Sequence, residues 1–304
     1  MREQPRPRRP GGFALIRLLL GGICNTDLEL QRGYYNFRGT PGHEFVGEVV
    51  AADSPDLIGE RVVGEINLGC GACDWCAQGL GRHCPRRTVL GIVKHPGAFR
   101  ELLTLPERNL HRVPRGIPTE QAVFVEPLAA ACEILDQVRI PAGARVAVLG
   151  DGKLGLLVGQ VLKAHGAEVH QYGRHKDKLR IAAQAGIDAR MARKLPQAEY
   201  GWVVDATGSS DGLQQAVQMT KPRGTVVMKS TVHGAVPLDS APVIVNEITL
   251  VGSRCGRFEP ALRLLRTKQV SVARLISEIL PLKDAPRAFQ RAATPGVLKV
   301  LLQA

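Results

Sequence analysis

Four apolar residues, Val146-Ala147-Val148-Leu149, run directly into Gly150-Asp151-Gly152-Lys153-Leu154-Gly155, and the chain continues with helical periodicity to His165. Glycines at three set positions between a buried strand and a helix constrain the fold strongly, because each has its own steric task. Gly150 permits the tight turn, Gly152 lets a pyrophosphate approach the backbone, and Gly155 allows close packing of helix on strand. The start of the helix then points unpaired N–H groups at an anion. Gly150, Gly152, Lys153, Leu154 and Gly155 are accordingly candidate dinucleotide-binding residues. The glycine pattern alone is weak, and a glycine-rich loop without a ligand is the plain alternative. Placed between strand and helix, it becomes a fingerprint.

The surrounding pattern supports such a unit. Glu120–Val138 reads as helix, Arg145–Leu149 and Glu168–Tyr172 as strands, and Lys176–Ala185 as helix, with further strands at Trp202–Ala206 and Gly224–Ser230. Strands alternating with helices predict a parallel sheet with crossover connections. Ahead of Pro127 the texture differs: short β-like runs at Phe13–Leu20, Phe45–Ala51, Glu60–Ile66 and Phe99–Leu105 are separated by turn residues, which predicts a β-rich unit. Beyond Ser253 a helix (Glu259–Lys268), a strand (Leu275–Pro281), a helix (Lys283–Ala292) and a strand (Leu298–Leu302) read as a return to it. The expected class is therefore α/β. A β-rich domain over 1–126 is completed by 255–304, an inserted doubly wound domain covers 127–254, and a cleft lies between them. A chain of 304 residues suits two domains of ordinary size.

The end of the second strand reports on the cofactor. An enzyme using NAD usually has Asp or Glu there for the adenosine ribose. Here Val169-His170-Gln171-Tyr172 ends in Gly173-Arg174-His175. The acid is absent, a glycine makes room, and Arg174 can bind a 2′-phosphate through charge-assisted hydrogen bonds. Gly173, Arg174 and His175 therefore favour NADP over NAD. Thr207 and Gly208, in Asp205-Ala206-Thr207-Gly208, follow a later strand and resemble the loop beside the nicotinamide half. Lys229 and Ser230 end the next strand and are either near that ring or ordinary strand-end residues.

Seven cysteines stand at 24, 70, 73, 76, 84, 132 and 255, an odd number in a long chain. The stretch Met1–Pro10 is basic and Phe13–Leu20 apolar, but Arg17 interrupts the run and no small-x-small site follows, so a secretory signal is not read and the cytoplasm is the default. Metal binding is then a better reading than disulfides. Cys70, Cys73, Cys76 and Cys84 follow C-x2-C-x2-C-x7-C, and four thiolates close a tetrahedral structural zinc site. An iron–sulfur cluster or inert thiols are the alternatives. The formal charge of +12 would suit nucleic acid, an anionic surface or a phosphate-rich cofactor alike. Aromatics at 4% argue against stacking on single strands, and the loop between the cysteines carries only Trp75, Arg82 and His83 where a nucleic-acid module predicts several lysines, arginines and aromatics.

A second constellation lies upstream, in Gly22-Ile23-Cys24-Asn25-Thr26-Asp27 and Gly42-His43-Glu44-Phe45-Val46-Gly47. Cysteine, histidine and a carboxylate form a mixed donor set that leaves zinc one open position. Singly, each has a plain explanation as a core thiol, a surface histidine or a solvated charge. Together with the four-cysteine lobe and the glycine loop, in this order, they resemble the zinc-containing medium-chain dehydrogenase/reductase superfamily, closest to its polyol and threonine dehydrogenase-type branch, from about Arg2 through Gln303. The resemblance implies a GroES-like catalytic domain with an inserted Rossmann domain, and two zinc ions per chain. It implies that Cys24 and His43 hold the catalytic zinc, with Glu126 (in Val125-Glu126-Pro127-Leu128) or Glu44 as the carboxylate; the sequence leaves open which binds.

Asp27 would orient the histidine, and Thr26 matches the residue that receives the substrate proton. Relatives end that relay at a histidine, where this chain has Glu29. They also carry one or two further strands ahead of the stretch matched by Pro5–Gly12, which predicts an open sheet edge there. The implied function is hydride transfer between a secondary alcohol, polyol or hydroxy-amino acid and NADP. Zinc would lower the pKa of the substrate hydroxyl. A homodimer or homotetramer acting on a small molecule, without nucleic acid or membrane, is expected. The competing function is a non-catalytic zinc- and dinucleotide-binding redox sensor or nucleic-acid partner, which would need no open metal site. A zinc-free quinone reductase would need no zinc at all. Cys132 reads as helix packing and Cys255 as a residue beside the cofactor.

Overall fold

The computed structural model describes residues 5–33, 36–232 and 235–304. In chain order the first part contributes β1 (Phe13–Gly22), α1 (Asn25–Gln31), β2 (Glu44–Ala51), β3 (Arg61–Gly64), β4 (Asn67–Leu68), α2 (Asp74–Ala77), β5 (Thr88–Leu90), β6 (Lys94–His95), β7 (Leu102–Pro106), β8 (Leu110–Arg112) and α3 (Thr119–Ala122). The middle part follows with α4 (Val125–Gln137), β9 (Arg145–Leu149), α5 (Lys153–Ala164), β10 (Glu168–Gly173), α6 (Lys176–Gln184), β11 (Asp188–Met191), β12 (Tyr200–Asp205), α7 (Gly212–Met219), β13 (Thr220–Met228), α8 (Ala241–Val245) and β14 (Thr249–Gly252). Then come α9 (Phe258–Arg266), β15 (Ile276–Pro281), α10 (Ala285–Ala292) and β16 (Lys299–Gln303). The chain divides into two compact units: Met1–Glu126 with Phe258–Arg266 and Leu275–Ala304, and Pro127–Arg257 with Thr267–Arg274.

β1 organises the first unit. Ala14, Leu15, Ile16, Leu18 and Leu20 are buried, and Arg17 is the one exposed residue of the strand. One edge of β1 pairs antiparallel with β2. The other is shared, with Phe13–Arg17 on β7 and Leu20–Gly22 on β16. Both edges of β1 are thus satisfied, within a sheet ordered β15-β16-β1-β2-β3-β8. The last strand in sequence therefore lies beside the first, which matters for the site. A separate three-stranded sheet, β4-β5-β6, adjoins the cysteine-rich segment.

The second unit is a fully parallel sheet of order β11-β10-β9-β12-β13-β14. Its strand order reverses between β9 and β12, where ligands bind at the carboxyl ends in doubly wound sheets. The apolar run of β9 and the buried length of α5 from Gly155 to Leu162 reflect a sheet covered by helices. The side chain of Gln160 on α5 ties the returning segment to this unit, donating to the Ser271 carbonyl at 3.1 Å and accepting its N–H at 2.8 Å.

The helix expected over Glu120–Val138 is two helices, α3 and α4, with Val123 and Phe124 between them. Pro127 accounts for the break, because in one continuous helix its ring would meet the carbonyl of Val123. As the third residue of α4 its missing N–H costs nothing. The polar strand β11 and the short edge strand β14 carry weak sequence patterns and were not anticipated. Among the described residues no helix is long and apolar enough to cross a membrane.

Within the second core, Tyr200 is fully buried and its hydroxyl sits 2.8 Å from His170 Nδ1 and 2.7 Å from the Tyr172 hydroxyl. Arg190 donates to the Tyr172 hydroxyl at 3.1 Å and pairs with Asp188 at 2.7 Å, closing the network at the sheet edge. Tyr200→Phe should therefore cost about 1–3 kcal/mol, since it strands buried polar partners without making a cavity. Thermal and urea unfolding of wild type and variant would read this; equal stability would show that water replaces the hydroxyl.

Candidate active site

The turn after β1 places Cys24 at the start of α1, and the residue pair at the start of β2 places His43 and Glu44 beside it. One ligand atom from each of Cys24, His43 and Glu44 lies within 4.8 Å of the others, with His43 and Glu44 buried. Asp27, wholly buried, builds this corner. One carboxylate oxygen accepts the Cys24 N–H at 2.8 Å, the capping arrangement for a helix N-terminus. The other accepts the Gly42 N–H at 3.1 Å and lies 3.2 Å from His43 Nδ1, at ion-pair distance without hydrogen-bond alignment. Backbone bonds from Gly97 to Thr40 and from Ala98 to Gly42 brace the segment leading to His43.

Electrostatics at this corner run against ordinary burial. Desolvation opposes a charged His43, yet the Asp27 carboxylate and then the Cys24 sulfur outweigh it and raise its pKa well above normal. Glu44 has no exposed surface, and its Oε1 is buried without any hydrogen-bond partner. Its Oε2 takes a close ion pair from the Lys299 ammonium, itself buried on β16 and set over the Phe124 ring at 5.7 Å. Burial opposes the charge on Lys299, but Glu44, with Cys24 and Glu126, holds its pKa above the usual lysine value.

An orphaned carboxylate oxygen beside a thiol and an imidazole fits a thiophilic divalent cation with an open position, and zinc suits the donors. Glu126 is half-buried and does not join this close group among the described residues. Thr26 is half-buried with Oγ1 3.8 Å from Cys24 Sγ, and Glu29 is bonded to Arg32 at 2.7 Å. The reading from sequence missed Lys299. Its signal was a lone charge inside the apolar run Val297-Leu298-Lys299-Val300-Leu301-Leu302, a residue costly to bury unless paired.

Four of the six other cysteines converge. All of Cys70, Cys73, Cys76 and Cys84 are unbridged, with sulfur separations of 3.6 Å (Cys73–Cys76), 3.6 Å (Cys73–Cys84) and 4.0 Å (Cys70–Cys76). Zinc bonded to four sulfurs at about 2.3 Å requires edges of about 3.8 Å, so the spacing fits. The Gly71 N–H donates to Cys76 Sγ at 3.3 Å and the Cys70 N–H to Cys84 Sγ at 3.5 Å, which favours thiolates. The Ala72 N–H, helped by Cys84, Cys73 and Arg86, pulls the Cys70 thiol down to about 6. Cys132 is buried and its thiol is pushed up to about 12, chiefly by burial, as expected of a packing residue.

In the second unit Gly150 has φ +125°, and a side chain there would meet the Ala206 carbonyl at 2.4 Å. A side chain at Gly155 would meet the Gly150 carbonyl at 2.4 Å, whereas nothing crowds Gly152, which leaves that side of the loop open for a ligand. Lys153 and Leu154 form the first turn of α5. Across the switch point, Asp205 Oδ1 accepts the Thr207 N–H at 2.9 Å and its hydroxyl at 2.8 Å, and the Ser230 hydroxyl accepts the Gly208 N–H at 2.8 Å. Lys229 is turned to Ser253 and to the Arg254 carbonyl. Gly173 ends β10, and Arg174 and His175 are exposed beyond it.

Comparison with known proteins agrees with both halves. Residues 10–115 match the family model of the alcohol dehydrogenase GroES-like domain, and residues 154–267 that of the zinc-binding dehydrogenases. The chain is 31% identical to 2-dehydro-3-deoxy-L-galactonate 5-dehydrogenase of Pseudoalteromonas atlantica over 95% of this chain and 91% of that protein. It is 30% identical to D-altritol 5-dehydrogenase of Agrobacterium fabrum over 98% and 94%. A zinc-binding dehydrogenase of Sinorhizobium meliloti, crystallised with NADP, superposes with a TM-score of 0.88 at 28% identity, covering 98% of this chain and 94% of that one. The chain therefore belongs to the zinc-type medium-chain dehydrogenase/reductase superfamily, in its polyol dehydrogenase branch, and is an oxidoreductase of the alcohol dehydrogenase type.

Proposed function

We propose that this dehydrogenase oxidises a secondary hydroxyl of a small polyol or sugar acid, passing hydride to NADP⁺ and releasing a proton, with one catalytic and one structural zinc per chain. The observation that carries the reading is the Cys24–His43–Glu44 group, with His43 and Glu44 buried and one Glu44 oxygen unpartnered. The two relatives described above are named as 5-dehydrogenases of sugar-derived compounds, which supports a polyhydroxylated substrate. Hydroxy-amino acids remain the second substrate class read from the sequence. We place the enzyme in the cytoplasm, as a homodimer or homotetramer.

Cys24 and His43 would hold the catalytic zinc, and the geometry favours Glu44 over Glu126 as the carboxylate. Zinc bound there supplies Lewis acidity that lowers the pKa of the substrate hydroxyl. Asp27 faces Nδ1 of His43 and so leaves Nε2 as the ring nitrogen for the ion. Lys299 balances the Glu44 charge and engages Oε2, so Oε1 would be the oxygen offered to the ion. Thr26, two residues after Cys24, would take the proton from the substrate hydroxyl. Cys70, Cys73, Cys76 and Cys84 would hold the structural zinc. Gly150, Gly152, Lys153, Leu154 and Gly155 would receive the pyrophosphate, with Thr207 and Gly208 toward the nicotinamide. Gly173, Arg174 and His175 would meet the 2′-phosphate, in keeping with the NADP bound by the Sinorhizobium relative.

Metal analysis by mass spectrometry should find two zinc ions per chain, falling to one in Glu44→Gln and staying at two in Glu126→Gln. The opposite pattern would transfer the ligand role to Glu126. Asp27→Asn should lower kcat/KM about 10–100-fold while zinc is retained, the usual effect of removing the partner that orients a ligand histidine. Unchanged kinetics would remove Asp27 from the site. A screen of NADP⁺ and NAD⁺ reduction across alcohols, polyols, sugar acids and L-threonine, with and without chelator, tests the whole reading. The expected result is chelator-sensitive NADP⁺ reduction with a polyhydroxylated substrate, and turnover that survives loss of zinc would defeat it.

A further inference from the structure

The glycine loop Gly150–Gly155 contains one acidic residue, Asp151. Asp151 follows Gly150, is 7% exposed, and directs its carboxylate away from the loop toward the end of β10. Its Oδ2 accepts the backbone N–H groups of Arg174 and His175, each at 2.7 Å, and both oxygens lie 3.1 Å from His175 Nδ1. Three donors from one turn converge on one carboxylate. The turn is also shaped to admit it, since a Cβ on Gly173 would lie 2.5 Å from the Cβ and Oδ2 of Asp151.

Two consequences follow from this packing. Oδ2 of the carboxylate is committed to the two backbone N–H groups, and the side chain is turned to the protein's own turn and away from the loop's ligand side. An acidic side chain at position 173 is excluded by the one already in the loop. What the turn shows to solvent is mainly basic: Arg174, His175 and Lys176 are exposed, and the neighbouring acid, Asp177, is paired with Arg180 at 3.2 Å. A carboxylate near a site for a phosphate dianion would ordinarily weaken binding by repulsion. Here its charge is met by three donors, and without it two N–H groups at the start of α6 would lose their acceptor.

We propose that Asp151 is a positioning residue for cofactor selection: it locks the Gly173-Arg174-His175 turn so that Arg174, and no acid at the end of β10, faces the adenosine 2′-position. The proposal rests on the NADP reading. Titration calorimetry on the full chain with 2′,5′-ADP and with 5′-AMP separates the two. Wild type should bind 2′,5′-ADP more tightly. Asp151→Ala should weaken 2′,5′-ADP about tenfold or more, the scale of lost charge-assisted hydrogen bonds, and 5′-AMP less than about threefold. Asp151→Asn keeps one acceptor oxygen and should fall between, and it carries the test if the alanine variant does not fold. In steady state the KM for NADP⁺ should rise by a larger factor than kcat falls. Parallel weakening of both probes, no change in either, or tighter binding of 2′,5′-ADP would each overturn the proposal while leaving the NADP reading intact. A wild type without preference for 2′,5′-ADP would overturn that reading, and the proposal with it.

Discussion

The pairing of a buried ammonium with a buried carboxylate holds the first unit's chemistry in place. Lys299 and Glu44 are separated by 255 positions in sequence, and both are almost wholly removed from solvent. Neither charge could be buried alone, because an isolated ion in the interior costs several kcal/mol at least. Their contact requires β16 to lie against β1 and β1 against β2, which is the sheet order observed. β16 is thus part of the site whose other residues come from the first fifty positions. The ion pair also divides the work of one carboxylate, with Oε2 on the lysine and Oε1 left without a protein partner.

Carboxylates that organise backbone recur at each functional corner. Asp27 gathers the N–H groups of Cys24 and Gly42 and lies beside His43. Asp205 gathers Thr207 and receives the Ser230 hydroxyl. Asp151 gathers Arg174 and His175. In each case a short acidic side chain satisfies N–H groups that a turn or helix start leaves without acceptors. Rigid loops are the result, and rigid loops are what a hydride-transfer enzyme needs, since a misplacement of about 1 Å is costly in rate.

The four-cysteine lobe shows the same economy with sulfur. Its sulfurs already stand near tetrahedral spacing, and N–H groups of the lobe point at them. A short α2, a 3-10 turn at Gly81–His83 and a small three-stranded sheet are the regular structure described beside it. Such a segment buries little apolar surface, so metal bonds are the natural source of its order. Cys132, by contrast, is a thiol used as a small apolar side chain on a buried helix face.

By itself the sequence determined whatever depends on local spacing. The strand and glycine loop around Gly150 specify a parallel sheet with a phosphate-facing helix, and the cysteines between 70 and 84 specify a metal-sized cluster, because turn geometry and ligand reach are properties of a few neighbouring residues. The absence of an acid after Tyr172 is likewise visible in one dimension. Only the tertiary structure decided what depends on long-range pairing. It chose Glu44 over Glu126 as the carboxylate grouped with Cys24 and His43, found Lys299 as its partner, and turned Asp151 from a variable loop position into the anchor of another strand's end. It also split one expected helix at Pro127 and added β11 and β14 at sheet edges. Those outcomes lay beyond local pattern because side-chain charge says where a residue is costly to bury, but not which distant strand will bring its partner.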